Sequence, residues 1–255
     1  MKLEQTIKSI INNKTPVFFI SPHLDDAIYS AGNLLAHLSK FTNVFVVTAF
    51  TEGGVRSTLS GKSFLRQCGY NDAIQFYIDR RAEDKKTIES ISAKAIHLGF
   101  VDGLWRTKKV GGVRMVLAKL IPEFNHVYPT FILHLDRGRI SKSDKGITLK
   151  IKDVFRKIIA ENSAGDYVVF APMGIGGHID HTLVHNICKE IFPNAIFWAD
   201  FPYSLHTLAP KGGVIYAESE NKALKEKMIR GYETQFKAIF DNKPLVLKPE
   251  IFYEQ

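Results

Sequence analysis

Short, continuously apolar runs alternate with helix-like stretches along this chain. No other feature of the sequence limits the number of possible folds as much. Four runs rich in β-branched and aromatic residues are predicted as buried strands: residues 15–21, 44–50, 167–173 and 195–200. Between and after them the sequence predicts helices over residues 26–39, 61–78, 80–96, 180–191 and 221–240. Continuous apolar strands separated by helices are typical of a parallel sheet covered on both faces. We therefore expect an α/β fold, Rossmann-like and three-layered, with a mainly parallel sheet.

One domain is expected to span residues 1–255. No internal repeat or low-complexity stretch divides the chain, and a chain of this length can bury a sizeable core without disulfides. The segment 103–146 is richest in glycine and charge, so we expect it to be an elaboration over the functional site. Cys68 and Cys188 lie far apart without metal-ligand spacing and are predicted to be reduced thiols.

The net charge of +8 does not by itself indicate a nucleic-acid partner. The basic residues are scattered, and runs such as RRAEDKK contain acidic residues as well, which is typical of a solvated surface. The basic excess can still steer an anionic substrate towards the protein. Neither a signal peptide nor a membrane span is predicted, because no apolar run is long enough, and we expect a cytoplasmic protein.

The first chemical cluster, His23-Leu24-Asp25-Asp26, directly follows the first predicted strand. Burying a histidine and two carboxylates there without partners is unfavourable, and a divalent cation supplies such a partner. Two successive aspartates point in different directions, so one can bind the metal while its neighbour addresses a water. The alternative is that Asp25 or Asp26 only caps the helix that follows.

The second cluster, His178-Ile179-Asp180-His181, follows the predicted strand 167–173 and a glycine-rich loop. Asp180 is placed to orient a histidine ring by a hydrogen bond. His185 lies one helical turn beyond His181, as in the HExxH motif of zinc proteases, but Thr182 replaces the glutamate of that motif. We therefore interpret His185 as a structural residue.

Both clusters follow strands of one predicted parallel sheet, so we expect them to face the same crevice at its carboxyl edge. Two histidines and one aspartate supply three protein ligands and leave positions open for water and substrate. That arrangement is typical of a catalytic zinc site rather than of a closed structural one.

The two motifs together resemble those of the PIG-L/LmbE-type deacetylases. SPHLDDAIYSAG resembles the family's first motif, and APMGIGGHIDHTLVH resembles its later His-x-Asp-His motif. Four further segments resemble other motifs of the family more weakly and occur in the expected order: Arg80-x-x-Glu83-Asp84, Val101-Asp102-Gly103, Asp200-Phe201-Pro202-Tyr203 and Tyr232-x-x-Gln235. The resemblance runs from about residue 15 to 240. Leu24 and Ala27 differ from the residues common in the wider family and resemble those of a bacterial branch. Because that branch includes deacetylases of sugar-bearing natural products, the resemblance does not define one substrate.

The resemblance implies a zinc-dependent hydrolase that acts on linear amide bonds. Its expected reaction is removal of an N-acyl group, most simply an acetyl group, from an amino sugar or an amino-sugar conjugate. Its implied metal ligands are His23, Asp26 and His181. Asp25 would be the general base, and a protonated His178 would face the developing oxyanion. Asp180 would keep the ring of His178 charged and oriented.

Three further residues are candidates for substrate binding: Arg80, Arg106 and Tyr203. An arginine near the crevice can bind a carboxylate or phosphate through two hydrogen bonds. Trp105 stands beside Arg106, and aromatic and guanidinium groups often line sugar pockets. For Arg80 the alternative is a surface salt bridge with Glu83 or Asp84.

Two other functions stay open at this stage. Two histidines and one carboxylate also form the triad of non-haem iron enzymes, although Asp25 has no evident use there. A non-catalytic sugar-binding protein is the third reading. The native metal can be zinc, Fe²⁺ or another divalent ion, and the oligomeric state is open, with the C-terminal phenylalanines and tyrosines available to pack on a neighbour.

Overall fold

Seven strands form one sheet in the computed structural model, which describes residues 2–207, 210–217, 221–240 and 244–254. The sheet has the order β3-β2-β1-β4-β5-β7-β6. The pairings from β3 to β5 are parallel, whereas β7 runs antiparallel to both β5 and β6. The strands are β1 (Val17–Ser21), β2 (Val44–Glu52), β3 (Lys94–Val101), β4 (Val168–Pro172), β5 (Ile196–Trp198), β6 (Val214–Tyr216) and β7 (Glu250–Glu254).

Helices cover both faces of this sheet, which confirms the predicted α/β fold with a mainly parallel sheet. They are α1 (Lys2–Asn13), α2 (Asp26–Leu38), α3 (Leu59–Gln67), α4 (Ala73–Glu89), α5 (Gly112–Leu120), α6 (Phe131–His134), α7 (Lys145–Asn162), α8 (Ile179–Ile191), α9 (Lys222–Arg230) and α10 (Glu233–Phe240). None of the helices within the described residues combines the length and apolarity needed to cross a bilayer.

Strand β1 shows why its first four residues, Val17 to Ile20, are all apolar. Val17 and Phe19 point into the core formed with α1, α2 and α9, while Phe18 and Ile20 point into the core formed with α7 and α8. Successive side chains of a strand point to opposite faces, so a strand covered on both faces needs apolar residues throughout. A third apolar cluster, which includes Trp105, joins α3 and α4 to the segment 103–146.

The predicted helix boundaries are wrong at three places. The predicted helix 80–96 ends at Glu89, and the edge strand β3 begins at Lys94. The predicted helix 61–78 is divided because Asp72 caps a new helix by accepting a hydrogen bond from the Ile74 amide. The predicted helix 221–240 consists of α9 and α10, with a break after Arg230.

The C-terminal aromatic residues pack within the chain itself. Phe252 and Tyr253 are buried in β7, between β5 and β6, and Phe240 is buried in the core beside α2. These three side chains are therefore not the exposed residues that the sequence left available for packing on a neighbouring molecule, and the oligomeric state stays open. Cys68 and Cys188 are free thiols, as predicted.

Glu250 at the start of β7 holds the sheet to α2 and α9. Its carboxylate accepts hydrogen bonds from the Asn33 and Leu34 amides at 2.7 and 3.1 Å and from Lys225 Nζ at 2.6 Å. Both Glu250 and Lys225 are buried. A buried ammonium is strongly unfavourable without its carboxylate.

We predict that Glu250→Gln lowers the free energy of unfolding by about 3–5 kcal/mol, because it leaves Lys225 charged and unpaired in the interior. Denaturant unfolding followed by circular dichroism measures the change. The double variant Lys225→Met/Glu250→Gln should recover most of the loss. A single variant as stable as the parent would show that Lys225 reaches solvent.

Candidate metal and catalytic site

The two predicted clusters meet at the carboxyl edge of the sheet. His23 to Asp26 follow β1, and the loop after β4 leads to His178, which begins α8. The sheet order reverses between these adjacent strands, and such a switch point is where α/β sheets open a crevice. Gly176 in that loop has a φ of +90°, and a Cβ there would lie 2.5 Å from Tyr203 Cδ1. The loop therefore needs glycine to turn and to admit that ring.

Asp26 lies at the centre of the site. Its Oδ2 is 3.2 Å from His23 Nδ1 and 3.2 Å from His181 Nε2, and all three side chains are buried. Burial alone would raise the pKa of Asp26, but the neighbouring histidines outweigh it and hold that pKa well below its ordinary value. Asp26 therefore carries its negative charge between two imidazole nitrogens.

His181 is oriented by a second carboxylate. Its Nδ1 lies 2.7 Å from Asp200 Oδ1, while Asp200 Oδ2 accepts a hydrogen bond from the Ile175 amide at 2.9 Å. The Nε2 atom of His181 is buried and, among the described residues, makes no hydrogen bond of acceptable geometry, although Asp26 Oδ2 lies 3.2 Å away. A carboxylate on one ring nitrogen and a free second nitrogen form the arrangement found at histidines that bind metal ions.

Two more carboxylates surround the other edge of His23. Its Nε2 lies 3.2 Å from Asp180 Oδ2 and 3.4 Å from Asp102 Oδ2. Asp180 Oδ2 also accepts a hydrogen bond from the Gly103 amide, and Asp102 accepts one from the Tyr77 hydroxyl. Burial lowers the pKa of His23, but the surrounding carboxylates outweigh it and raise that pKa to about 9. The site therefore favours positive charge.

A divalent cation fits this set of residues. Imidazole nitrogen and carboxylate oxygen are ordinary ligands, and two atoms bound to one tetrahedral zinc ion lie about 3.4 Å apart, close to the 3.2 Å separations around Asp26. The unpartnered His181 Nε2 is available for such a bond. Donor atoms of His23, His178 and His181 also lie within 4.8 Å of one another, as do those of His23, Asp102 and Asp180.

Asp25 lines a cavity of about 270 Å³, together with His23 and Asp26 of this centre. Arg80 Nη2 lies 3.5 Å from its Oδ1. Burial and the adjacent charge of Asp26 raise the pKa of Asp25 to about 8, although Arg80 opposes the shift. Polar side chains line the cavity on the Asp25 side, and the remaining walls are mainly apolar: Phe64, Leu104, Phe131, Phe201, Pro202, Ala238 and Ile239.

Residues 18–192 match the model of the family described as PIG-L, GlcNAc-PI de-N-acetylase. That match spans both clusters and more than half of the chain. The chain belongs to the PIG-L family. Its site is therefore built on the family's two motifs, as their resemblance in the sequence predicts.

One curated relative of this PIG-L family member is the 2'-N-acetylparomamine deacetylase of Streptomyces fradiae. It is 26% identical over 193 residues, which cover 72% of the present chain and 56% of the relative. The chain thus spans just over half the length of the curated relative that it matches.

Solved structures share the fold over nearly the whole chain. A deacetylase of the teicoplanin biosynthesis pathway, 20% identical, gives a TM-score of 0.69 and covers 94% of this chain and 97% of its own. The N,N'-diacetylchitobiose deacetylase of Pyrococcus horikoshii, 17% identical, gives 0.52 and covers 99% and 90%. At these identities the likeness concerns the fold.

The carboxylate of Asp180 does not contact the ring of His178, which it was expected to orient. Its carboxylate contacts His23 and Arg106, while His178 Nδ1 accepts a hydrogen bond from the Asp180 amide at 3.3 Å. Burial lowers the pKa of His178 well below its ordinary value, with the charge of His23 adding to the effect. The expected pairing of the Asp180 carboxylate with His178 is therefore wrong, the lowered pKa favours a neutral ring, and the role of His178 at the oxyanion stays a prediction. Because Nδ1 accepts, the ring's proton resides on Nε2.

Arg106 is buried behind the metal site and does not line the cavity. Its Nη1 donates to Asp144 at 2.7 Å, its Nη2 pairs with Asp180, and its Nε donates to the Val101 carbonyl at 3.3 Å. The predicted contact with substrate is therefore replaced by a structural role. With every guanidinium nitrogen occupied, Arg106 anchors Asp180, which in turn contacts His23.

Arg80 and Tyr203 do lie in the cavity wall. Arg80 is not the exposed partner of Glu83 or Asp84. It is buried with its Nε unpartnered, and its guanidinium lies 4.9 Å from the ring centroid of Tyr77. The Tyr203 ring packs edge-on against His181 at 5.2 Å between centroids.

Three residues of the site received no role from the sequence: Asp102, Asp200 and Gln235. Each lies in one of the segments that weakly resemble other motifs of the family. Those resemblances are the feature of the sequence that could have indicated their role. Gln235 Nε2 donates to the Leu24 carbonyl at 3.0 Å and lines the cavity. Asp102 and Asp200 contact the two histidines across long sequence separations, so only the folded chain shows these pairings.

We predict that Asp200→Asn weakens metal binding by about 10- to 100-fold, because the amide neither orients His181 nor raises its basicity as a carboxylate does. Competition with a chromogenic zinc chelator measures the affinity. Asp153→Asn, at an exposed aspartate of α7, is the matched control and should bind as the parent does. Parent-like affinity of Asp200→Asn would mean that His181 is not a ligand.

Proposed function

We propose that this PIG-L family member is a zinc-dependent deacetylase that hydrolyses the N-acetyl amide of an amino sugar or amino-sugar conjugate. The observation that carries the proposal is the position of Asp25. Its carboxylate faces the cavity beside the group formed by His23, Asp26 and His181. A buried carboxylate next to a metal site is the arrangement that metal-assisted amide hydrolysis requires.

In this proposal His23, Asp26 and His181 would hold the metal through atoms such as Asp26 Oδ2, which lies 3.2 Å from both His23 Nδ1 and His181 Nε2. When bound, zinc supplies a Lewis acid for the amide carbonyl and lowers the pKa of water to about 7. Two imidazoles and one carboxylate are a ligand set common to catalytic zinc sites. His178 and Asp102, whose donor atoms also approach those of His23, remain on the cavity side.

Asp25 accepts the proton of the attacking water. Arg80 holds the carboxylate in place from 3.5 Å and is itself fixed over the rings of Phe76 and Tyr77. A positioned base of this kind contributes about 10²- to 10⁴-fold to the rate. Once protonated, Asp25 can return the proton to the leaving amine.

His178 stabilises the oxyanion that forms from the amide carbonyl. Its Nδ1 is engaged by the Asp180 amide, so Nε2 of the neutral ring is a fixed donor. The rings of Phe131 and Tyr203 lie 6.1 and 6.3 Å from it between centroids and limit its movement. Preorganised donors of this kind need no rearrangement as charge develops.

The names of the relatives support an N-acetylated amino sugar as substrate, since 2'-N-acetylparomamine and N,N'-diacetylchitobiose both carry that group. The cavity of about 270 Å³ suits a single sugar ring. The non-haem iron alternative is not favoured, because it leaves Asp25 and Arg80 without a role. A single domain over residues 1–255 and a cytoplasmic location remain part of the proposal.

We predict that Asp25→Asn lowers kcat by about 10²- to 10⁴-fold without changing bound metal, because the amide cannot accept a proton. Amine release under saturating substrate and metal analysis of the same sample measure the two quantities. Asp153→Asn is again the matched control. Loss of metal in Asp25→Asn would show that Asp25, rather than Asp26, is the ligand.

Acetate and free-amine release from a panel of N-acetylated sugars tests the function itself. The panel contains N-acetylglucosamine, its nucleotide- and lipid-linked forms and glycosylated natural products, each with and without chelator. We expect chelator-sensitive release from at least one member, restored by zinc. Silence of metal-loaded protein across the panel would contradict the proposed substrate class, and release that persists in chelator would contradict the metal mechanism.

A further inference from the structure

Helix α5 presents an apolar stripe to solvent. Val113, Val116, Leu117 and Leu120 recur at intervals of three and four residues, the spacing that places side chains on one face of a helix. All four are exposed, with 75% of Val113 and 80% of Leu120 accessible. A surface helix ordinarily turns such a stripe towards the core.

The stripe of α5 points away from the protein. Ala118 is the buried residue of the helix, with 4% of its surface accessible. At 100° per residue, Ala118 lies on roughly the opposite side from the middle of the stripe. The helix is thus attached by its small residue, and its large apolar side chains face outward.

Neighbouring elements extend this apolar surface. Ile132 and Leu133 on α6 and Leu59 at the start of α3 are also exposed. The Leu59 amide donates to Glu123, just after α5, and the rings of Phe64 on α3 and Phe131 on α6 stack at 6.5 Å. We call these exposed residues the α5 face: Leu59, Val113, Val116, Leu117, Leu120, Ile132 and Leu133.

The segment that carries most of the α5 face also carries most of the net charge. Residues 103–146 contain nine Lys and Arg and three Asp and Glu, a net charge of +6 out of +8 for the whole chain. None of the three acidic residues is exposed. Arg114 and Lys119 are exposed and lie on the two flanks of the stripe. The polar surroundings of the stripe are therefore cationic.

We propose that the α5 face docks the protein on an anionic lipid bilayer. An apolar stripe flanked by Lys and Arg is the pattern of a helix that lies in the plane of a membrane interface, where apolar side chains enter the acyl boundary and cations contact anionic headgroups. The docked cavity opens near the membrane, since Phe64 and Phe131 line the cavity from the same helices as Leu59 and Ile132.

The charge around the α5 face favours an anionic bilayer over the other possible binding partners. A second copy of the chain on the α5 face would bring two segments of net charge +6 together, and like charges across an interface are strongly unfavourable. An apolar part of a soluble substrate would bind in the cavity, whereas the stripe faces outward. Only a surface that is both apolar and anionic matches the whole of the α5 face.

Co-sedimentation with lipid vesicles tests the proposal. Full-length protein is mixed with vesicles of phosphatidylcholine alone or with added phosphatidylglycerol, at about 0.1 M and about 1 M salt, where the Debye length falls from about 10 to 3 Å. We expect binding to the anionic vesicles, weakened by salt, and little binding to the neutral ones. Chelator is present throughout, so the result does not depend on metal or on deacetylase activity.

Two double variants separate the contributions. Arg114→Gln/Lys119→Gln should lower the partition coefficient roughly 25-fold, and Val116→Ser/Leu120→Ser at least about 10-fold. The matched control is Ile215→Ser/Val246→Ser, two exposed apolar residues outside the α5 face with 59% and 57% accessible. It should bind as the parent does. Circular dichroism verifies that each variant is folded.

Three outcomes would overturn the proposal. The first is no binding of the parent to anionic vesicles, and the second is equal loss of binding in the control and the Val116→Ser/Leu120→Ser variant. The third is a dimer in light scattering that Val116→Ser/Leu120→Ser converts to monomer without any vesicle binding, which would assign the α5 face to a second copy.

Discussion

Negative charge buried at the carboxyl edge of the sheet is the constraint on which the rest of this structure depends. Five carboxylates approach one another there: Asp25, Asp26, Asp102, Asp180 and Asp200. A buried carboxylate is tolerated only with a positive or hydrogen-bonding partner. Arg80 contacts Asp25 and Arg106 contacts Asp180, and the surrounding carboxylates raise the pKa values of His23 and His181. A divalent cation would take the place of the protons on these two histidines and supply positive charge among the same carboxylates.

Arg106 explains how the segment 103–146 can be both part of the site and a carrier of exposed apolar residues. Through Asp144 and Tyr128 at one end and Asp180 at the other, it ties the segment to the metal site by buried charge. Together with the apolar cluster around Trp105, these contacts secure the segment without burying the stripe of α5. The segment is therefore held in place by contacts that do not involve the exposed side chains of that stripe.

The sequence predicts the parts of the fold that are buried on both faces and fails at the edges of the sheet. Strands β1, β2, β4 and β5 can be predicted from the sequence because they consist mostly of buried apolar residues, whereas β3 is half-exposed and continues the helical pattern of α4. In the site, the order of residues in the two motifs is sufficient to bring Asp26 to His181. It is not sufficient to pair Asp180 with its ring, since His178 and His181 lie within two residues of Asp180 in sequence, whereas its carboxylate contacts His23.

Asp25 and Asp26 show why geometry rather than residue type assigns the roles. They are identical neighbours in sequence, but the turn between β1 and α2 sends them into different surroundings. Asp26 lies between two imidazoles, which keep its pKa low, as a metal ligand requires. Asp25 faces the cavity with Arg80 as its cation, and burial beside Asp26 raises its pKa to about 8. In enzymes, pairs of carboxylates whose surroundings separate their pKa values in this way take different roles, and the different surroundings of these two side chains support the proposal of Asp26 as metal ligand and Asp25 as base.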